Sequence, residues 1–399
     1  MRIKKGILTV NFFLAGMAAV YLPTRAAGQS IFHVVPTPNN PSVGAGGQNN
    51  GLFAVSASSP RDIWAVGQTV IHFDGATWTE FSAPHIKGRF ANQLDGVADI
   101  SPTDAWAVGS FAGTTILGPG PEQELVIEHW DGTQWSVFPS PPFDNPNVVA
   151  ELSAITAISG TDIWAVGGAE GGNLFEHWDG TAWTPAIAFL GGAFATGAAS
   201  ADATDDVWAV GFSGLSSAKA SPFVAHFNGS TWQSVPSVPF ASPISAAFNG
   251  VLARAPNNVW AVGTIAEVLN GPTSTLIEHY DGNAWSVVPS PSVGQNQSNV
   301  LRGITAVSPT DIWAFGDFLA ADGSGNQMTL LLHWDGTSWT LAPSPNPEMG
   351  SILIDTLDAG VTTGRNVWIV GSQLPGSVGN GFIDTLAIHS TTEAGAGSN

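Results

Sequence analysis

The 399-residue sequence contains no cysteine. Disulfides, thiolate metal sites and cysteine nucleophiles are excluded at once. Positive charge is scarce as well: 11 Lys plus Arg stand against 31 Asp plus Glu, and charged residues make up 11% of the chain, under half of the roughly 25% usual for a soluble domain. With 44% apolar residues, so weakly charged a chain builds a large core and is not intrinsically disordered. No stretch keeps a helical period. A nucleophile elbow, a phosphate loop and a zinc motif are also missing.

The first 28 residues stand apart from the rest. MRIKK is a basic start, GILTVNFFLAGMAAVYL is an apolar run, and PTRAAGQS offers small residues for cleavage near Ala26 to Gly28. That order reads as a secretory signal peptide, so a secreted, periplasmic or cell-surface location is expected. The alternative is an uncleaved anchor, for which the run is slightly short. Losing residues 1–28 removes Arg2, Lys4, Lys5 and Arg25 and leaves 7 basic against 31 acidic residues. Such a surface repels nucleic acid and anionic membranes and admits cations, glycans or basic proteins.

What is present is a repeat. Asp/Asn-hydrophobic-Trp-Ala-Val-Gly and close variants occur with the Trp at 64, 106, 164, 208, 260, 313 and 368. A second element, as in IEHWDGTQW (127–135), closes on Trp78, Trp135, Trp183, Trp232, Trp285 and Trp339. With Trp130, Trp178 and Trp334, every one of the 16 Trp falls at a repeat position. Burial and packing are reason enough for Trp at such places.

Each unit parses into four strands. LRGITAVS (301–308), a Pro-Thr-Asp turn, IWAFG, a variable loop, TLLLHW, an Asp-Gly turn and SWTLAPSP follow one another. Alternating apolar and β-branched runs bounded by such turns are strand and hairpin signals. Repeated four-stranded units of this length predict an all-β protein, a seven-bladed β-propeller of antiparallel blades over residues 29–390, followed by a C-terminal tail at 391–399. The seventh unit ends at its third strand, while IFHVVPTP (31–38) aligns with AWSVVPSP (284–291). The N-terminal segment is therefore expected to complete the last blade, with Phe32 in the Trp place. Closing the ring this way hides blade edges.

In the order IWAVGG (163–168) then EHWDGTAW (176–183), the repeat resembles kelch-type propellers, the group that includes the central domain of galactose oxidase. The resemblance covers about residues 31–390 and implies a propeller. Function stays open, because such propellers include binding modules and enzymes. Galactose-oxidase chemistry needs copper and a Tyr-Cys crosslink, which a chain without Cys cannot make. Sialidase-like propellers use clustered Arg and a Tyr nucleophile; here the five Arg after the leader lie in different units, and Tyr280 holds a repeat aromatic position.

Repetition also separates scaffold from site. Seven His recur at one place (72, 129, 177, 226, 279, 333 and 389), five of them two residues before an Asp, as in His129 and Asp131. Because the copies sit in separate blades, a structural brace on the turn or on Trp is expected rather than a shared metal or base. The loops between second and third strands vary in length, and they share a face with the interblade links. Near that face the first strands read Leu-x-(Gly or Ala), with Phe248 in the Leu place before Asn249, where x is Asp95, Ser153, Asn249, Arg302 or Asp358, with Phe53 in the first unit. A repeated place with unrepeated identity is the expected ligand-reading ring. Two lesser features are His85, Lys87 and Arg89, a basic cluster, and Asp322, Ser324 and Asn326, which resemble the opening ligands of a calcium loop but meet His333 where that loop needs an acid. No other cofactor is expected.

The sequence thus predicts an exported monomeric propeller that binds an extracellular glycan or protein without catalysis. A polysaccharide hydrolase or lyase using acids such as Asp95 and Asp358 is the alternative.

Overall fold

In the computed structural model the described residues are 31–39, 49–84, 92–112, 123–140, 150–169, 172–188, 193–214, 220–240, 245–268, 271–294, 296–346, 354–374 and 383–391. They form 28 strands and, among the described residues, no helix. Six blades are contiguous four-stranded antiparallel units, with inner strands Leu52–Ser59, Asn92–Ser101, Ala150–Ser159, Ala193–Ala203, Ser245–Ala255 and Asn299–Ser308. The seventh takes Ile354–Thr363, Asn366–Leu374 and Asp384–Thr391 from the C-terminal part of the chain and Ile31–Val34 from the N-terminal part. Each inner strand touches the next, and Ile354–Thr363 touches Leu52–Ser59, so the ring closes.

The motif explains each layer. The second strand, Asp62–Gly67 in the first blade, is buried along its whole length. A strand covered on both faces is apolar throughout rather than alternating. The outer strands are short: in Trp135–Val137, Trp232–Ser234 and Trp285–Val287 only the Trp is buried. Pro139, Pro236 and Pro289 follow two residues later. Short edges ending in proline are poor templates for pairing with another chain.

Blades are joined through these outer Trp. The second-strand Trp of each blade meets the outer-strand Trp of the next with ring centroids 5.1 Å apart for Trp64–Trp135, 5.5 Å for Trp106–Trp183, 5.4 Å for Trp164–Trp232, 5.8 Å for Trp208–Trp285 and 5.7 Å for Trp260–Trp339. The series closes with Trp313–Phe32 at 4.9 Å and Trp368–Trp78 at 5.6 Å. All are edge-to-face, an arrangement worth about 0.5–1.5 kcal/mol beyond burial. Phe32 occupies the Trp place, as the alignment of residues 31–38 requires.

The N-terminal strand is registered Ile31↔Thr391 through Val34↔Ile388, and Val35 N donates to Ala387 O at 2.9 Å. Beyond it a latch recurs in three consecutive blades. Thr275 Oγ1 meets Ser290 Oγ at 2.9 Å, Thr329 Oγ1 meets Ser344 Oγ at 2.6 Å, and Thr385 Oγ1 meets Thr37 Oγ1 at 2.6 Å. In each case the third-strand Thr holds the Ser/Thr-Pro segment that leaves the outer strand. The closing blade is thus tied by the same chemistry as its neighbours, although its latch joins opposite ends of the chain.

The glycine of the repeated motif is a packing requirement. A Cβ at Gly67, Gly109, Gly167, Gly263, Gly316 or Gly371 would lie 1.9–2.1 Å from a carbonyl oxygen of the inner strand or, for Gly67, of Gly51 just before it. Gly109→Ala is therefore expected to destabilise the protein by about 2 kcal/mol in urea unfolding, since the clash is with backbone that can yield only by shifting a strand. A variant with wild-type stability would show that the inner strand relaxes freely there.

Candidate functional site

Those carbonyls come close because every inner strand bulges there. The register breaks at Leu52/Ala54, Leu94/Gly96, Leu152/Ala154, Thr196/Ala198, Phe248/Gly250, Leu301/Gly303 and Leu357/Ala359. One residue per blade is left over: Phe53, Asp95, Ser153, Gly197, Asn249, Arg302 and Asp358. A bulge turns its extra residue away from the ladder and re-aims the side chain. All seven line one central cavity of about 170 Å³. The five residues singled out in the sequence are brought together there, along with Phe53. Gly197 was missed because its strand reads Thr196-Gly197-Ala198, without a preceding Leu or Phe and without a side chain of its own.

The ring is chemically uneven. Arg302 Nε lies 2.5 Å from Asp317 Oδ1 and 3.4 Å from Asp358 Oδ1. Gln327 Nε2 donates to the other oxygen of Asp317 at 2.8 Å, and Thr356 Oγ1 donates to Asp358 Oδ2 at 2.8 Å. Burial alone would favour loss of the Arg302 proton, but Asp358 and Asp317 outweigh it and hold the guanidinium above its ordinary value. Burial raises Asp358 to about 6, against the pull of Arg302 and Thr356. On the other side Asp95 accepts one hydrogen bond, from Gln93 Nε2 at 2.8 Å. Burial lifts its carboxyl to about 6, opposed by Gln93 and reinforced by Glu151. Asn249 Nδ2 donates to Leu301 O at 2.8 Å, bracing one blade against the next.

Five of the seven repeated His residues are braces on a carboxylate, and it is a different one from the Asp two positions ahead; His279 meets Asn258 Oδ1 instead, at 3.0 Å. His72 lies 2.7 Å from Asp62, His129 2.9 Å from Asp104, His177 2.8 Å from Asp162, His226 2.6 Å from Asp206 and His333 2.9 Å from Asp311. Each Asp opens the second strand, and each imidazole lies over the motif Trp, as His72 does on Trp64 at 4.4 Å. Adjacent strands bring Trp and His into register, Trp64↔His72 for example, which sequence spacing alone does not show. Asp131 instead caps its own turn, accepting from Thr133 N at 2.8 Å and Gln134 N at 2.9 Å. In the loop that resembles a calcium site, Asp322 Oδ1 accepts from Ser324 N at 2.9 Å and Ser324 Oγ at 2.5 Å. Among the described residues no three His, Asp or Glu are grouped as metal ligands. His85, Lys87 and Arg89, residues 1–28 and much of the variable loops, including 113–122 and 375–382, lie outside the described residues.

This architecture, a closed ring of four-stranded blades around a central cavity, is that of a β-propeller, and solved structures agree. The chain is similar to YCF48 bound to D1 peptide (14% identity, 91% of this chain and 97% of that one, TM-score 0.55). It is also similar to YCF48 from Cyanidioschyzon merolae (14%, 90% and 98%, TM-score 0.55) and to the WD40 β-propeller domain of Doa1 (11%, 88% and 96%, TM-score 0.50). At such identities the likeness establishes the fold. No protein-family model and no curated protein matches the chain.

Proposed function

We propose that this chain is an exported, monomeric and non-enzymatic binding module that holds a segment of a protein partner at the mouth of its central cavity. The observation that carries this reading is the ring itself. Seven bulges, equivalent in backbone, present seven positions with five kinds of side chain and a glycine to one cavity. A scaffold so repetitive has no structural need for that variety, and variable residues on a rigid frame are where recognition sits. The cavity, about 170 Å³, falls below the roughly 300–1,000 Å³ of small-molecule sites. It suits one inserted side chain better than a sugar ring. All 16 Trp hold repeat positions, so none is set aside as a platform for a glycan. A propeller of similar build, YCF48, has been solved with a bound peptide, which shows that this architecture can present a peptide site.

Gly197 provides the test. A Cβ there would meet only Phe248 O at 3.9 Å and Asn249 O at 4.0 Å. Its φ is not among the positive ones, so a side chain can enter the cavity without backbone strain. Peptides selected from a displayed library against the mature protein are expected to lose at least about tenfold in affinity, or about 1.4 kcal/mol, toward Gly197→Phe. Undiminished binding by a folded variant would move the site away from the cavity. Turnover of a polysaccharide panel, abolished by Asp95→Asn or Asp358→Asn, would replace the module with an enzyme.

A further inference from the structure

We infer that the cavity mouth reads one cationic side chain, a lysine or arginine of the partner, between Asp95 and Asp358 and against the ring of Phe53. This rests on the protein-segment reading above and specifies the partner's chemistry. Around the closed ring the seventh blade precedes the first, as contact between Ile354–Thr363 and Leu52–Ser59 shows. The order of cavity side chains is therefore Arg302, Asp358, Phe53, Asp95, Ser153. An aromatic ring flanked by two carboxylates is a combination suited to a cation, which gains from the π-face and from both charges.

The charges already present do not satisfy this arc. Arg302 is, among the described residues, the one basic residue on the cavity wall, and it leans toward Asp317 at 2.5 Å rather than Asp358 at 3.4 Å. Among the described residues Asp95 accepts from the neutral Gln93, and the nearby Glu151 adds negative charge. One positive charge among Asp95, Glu151, Asp317 and Asp358 leaves the mouth negative. A leaderless chain with 7 basic and 31 acidic residues extends that field outward, so a basic partner is drawn in and an acidic one is kept away. Both ring acids are raised by burial to about 6. A bound cation stabilises their charged forms, so affinity is expected to weaken as pH falls through 6, with Glu151, Arg302 and Asp317 as the other charged groups facing the arc.

The probes are blocked pentapeptides with a central Lys, Arg, Gln or Glu between glycines, titrated into the mature protein by calorimetry or NMR. Lys and Arg peptides are expected to bind at least about tenfold more tightly than Gln, with the Glu peptide weakest. Asp95→Asn should remove most of that preference, and Phe53→Leu should reduce it about threefold or more. Asp322→Asn, on an exposed loop outside the cavity, should change nothing; melting temperatures confirm that each variant is folded. Equal binding of Lys and Gln peptides, both abolished by Gly197→Phe, would overturn the cation inference and leave the cavity reading intact. Binding unaffected by Gly197→Phe would overturn both. No binding of the Lys or Arg peptide at about 10 mM would also overturn the inference.

Discussion

Deleting residues 29–39 is expected to cost the propeller at least about 5 kcal/mol and to make it associate. The deletion removes Phe32, a buried ring whose truncation alone costs about 3–5 kcal/mol at a well-packed site. It also removes the ladder to Asp384–Thr391 and the Thr37, Pro38 and Asn39 contacts with Thr385, at about 1 kcal/mol for each hydrogen bond lost. Trp313 loses its edge-to-face partner, and the long strand Asp384–Thr391 becomes an uncovered edge open to other chains. Thermal melting and sedimentation read out the two effects. A synthetic peptide spanning residues 29–40 should restore the melt and reverse the association, because it supplies the missing strand in trans. A truncated protein that melts with the full chain and stays monomeric would show that the N-terminal strand merely decorates the last blade.

The second large effect is expected from pH. Asp99, buried at the seam of the first two blades, accepts from Ser58 N at 2.8 Å, but burial dominates and raises it to about 8. Burial likewise raises Glu176 and Glu278 to about 7, against hydrogen bonds from Ser140 to the former and from Val238 and Ser237 to the latter. An acid whose folded pKa lies above its unfolded one binds more protons when folded. Its stabilisation is complete below the unfolded pKa and is lost as pH rises through the folded pKa. His389 works in the opposite sense: burial and His33 lower it to about 4, so its contribution falls as pH drops below about 6.5. Between pH 6.5 and 8 the acids act without that opposition. Stability should decline there by on the order of 3 kcal/mol, roughly 5 °C in melting temperature. Asp99→Asn should remove about half of that slope, and should change the melt less near pH 5 than near pH 8. A wild-type melting temperature that rises from pH 6.5 to 8 would sink this account.

Much of the fold was legible because it is written seven times. Trp64 and its six equivalents mark the second strands, and the match of Val34, Val35, Pro36 and Pro38 with the end of the fifth unit announced how the ring closes. The ring of site residues was legible for the same reason, since Leu-x-(Gly or Ala) stands out against constant surroundings. Pairings set by the sheet rather than by the chain were not. His129 meets Asp104 across two strands instead of its near neighbour Asp131. Arg302 is clamped by Asp317, which comes from the adjacent strand, and by Asp358, which comes from the next blade. Gly197 carries no side chain and therefore left no trace as a site residue. Nor did the sequence show why the motif ends in glycine; that follows only from the carbonyl which the bulge brings to about 2 Å from where a Cβ would stand.

The bulges also divide labour within each blade. The residue that is displaced toward the cavity makes no ladder pair, while its neighbours and the motif glycine keep the strand in place. Asn249, Arg302 and Asp358 also tie neighbouring strands and blades together, but identity at Phe53, Asp95, Ser153 and Gly197 is largely uncoupled from folding. Randomising them together would sample many recognition surfaces on one unchanged frame, and exchanging whole blades would transplant a single specificity element at a time.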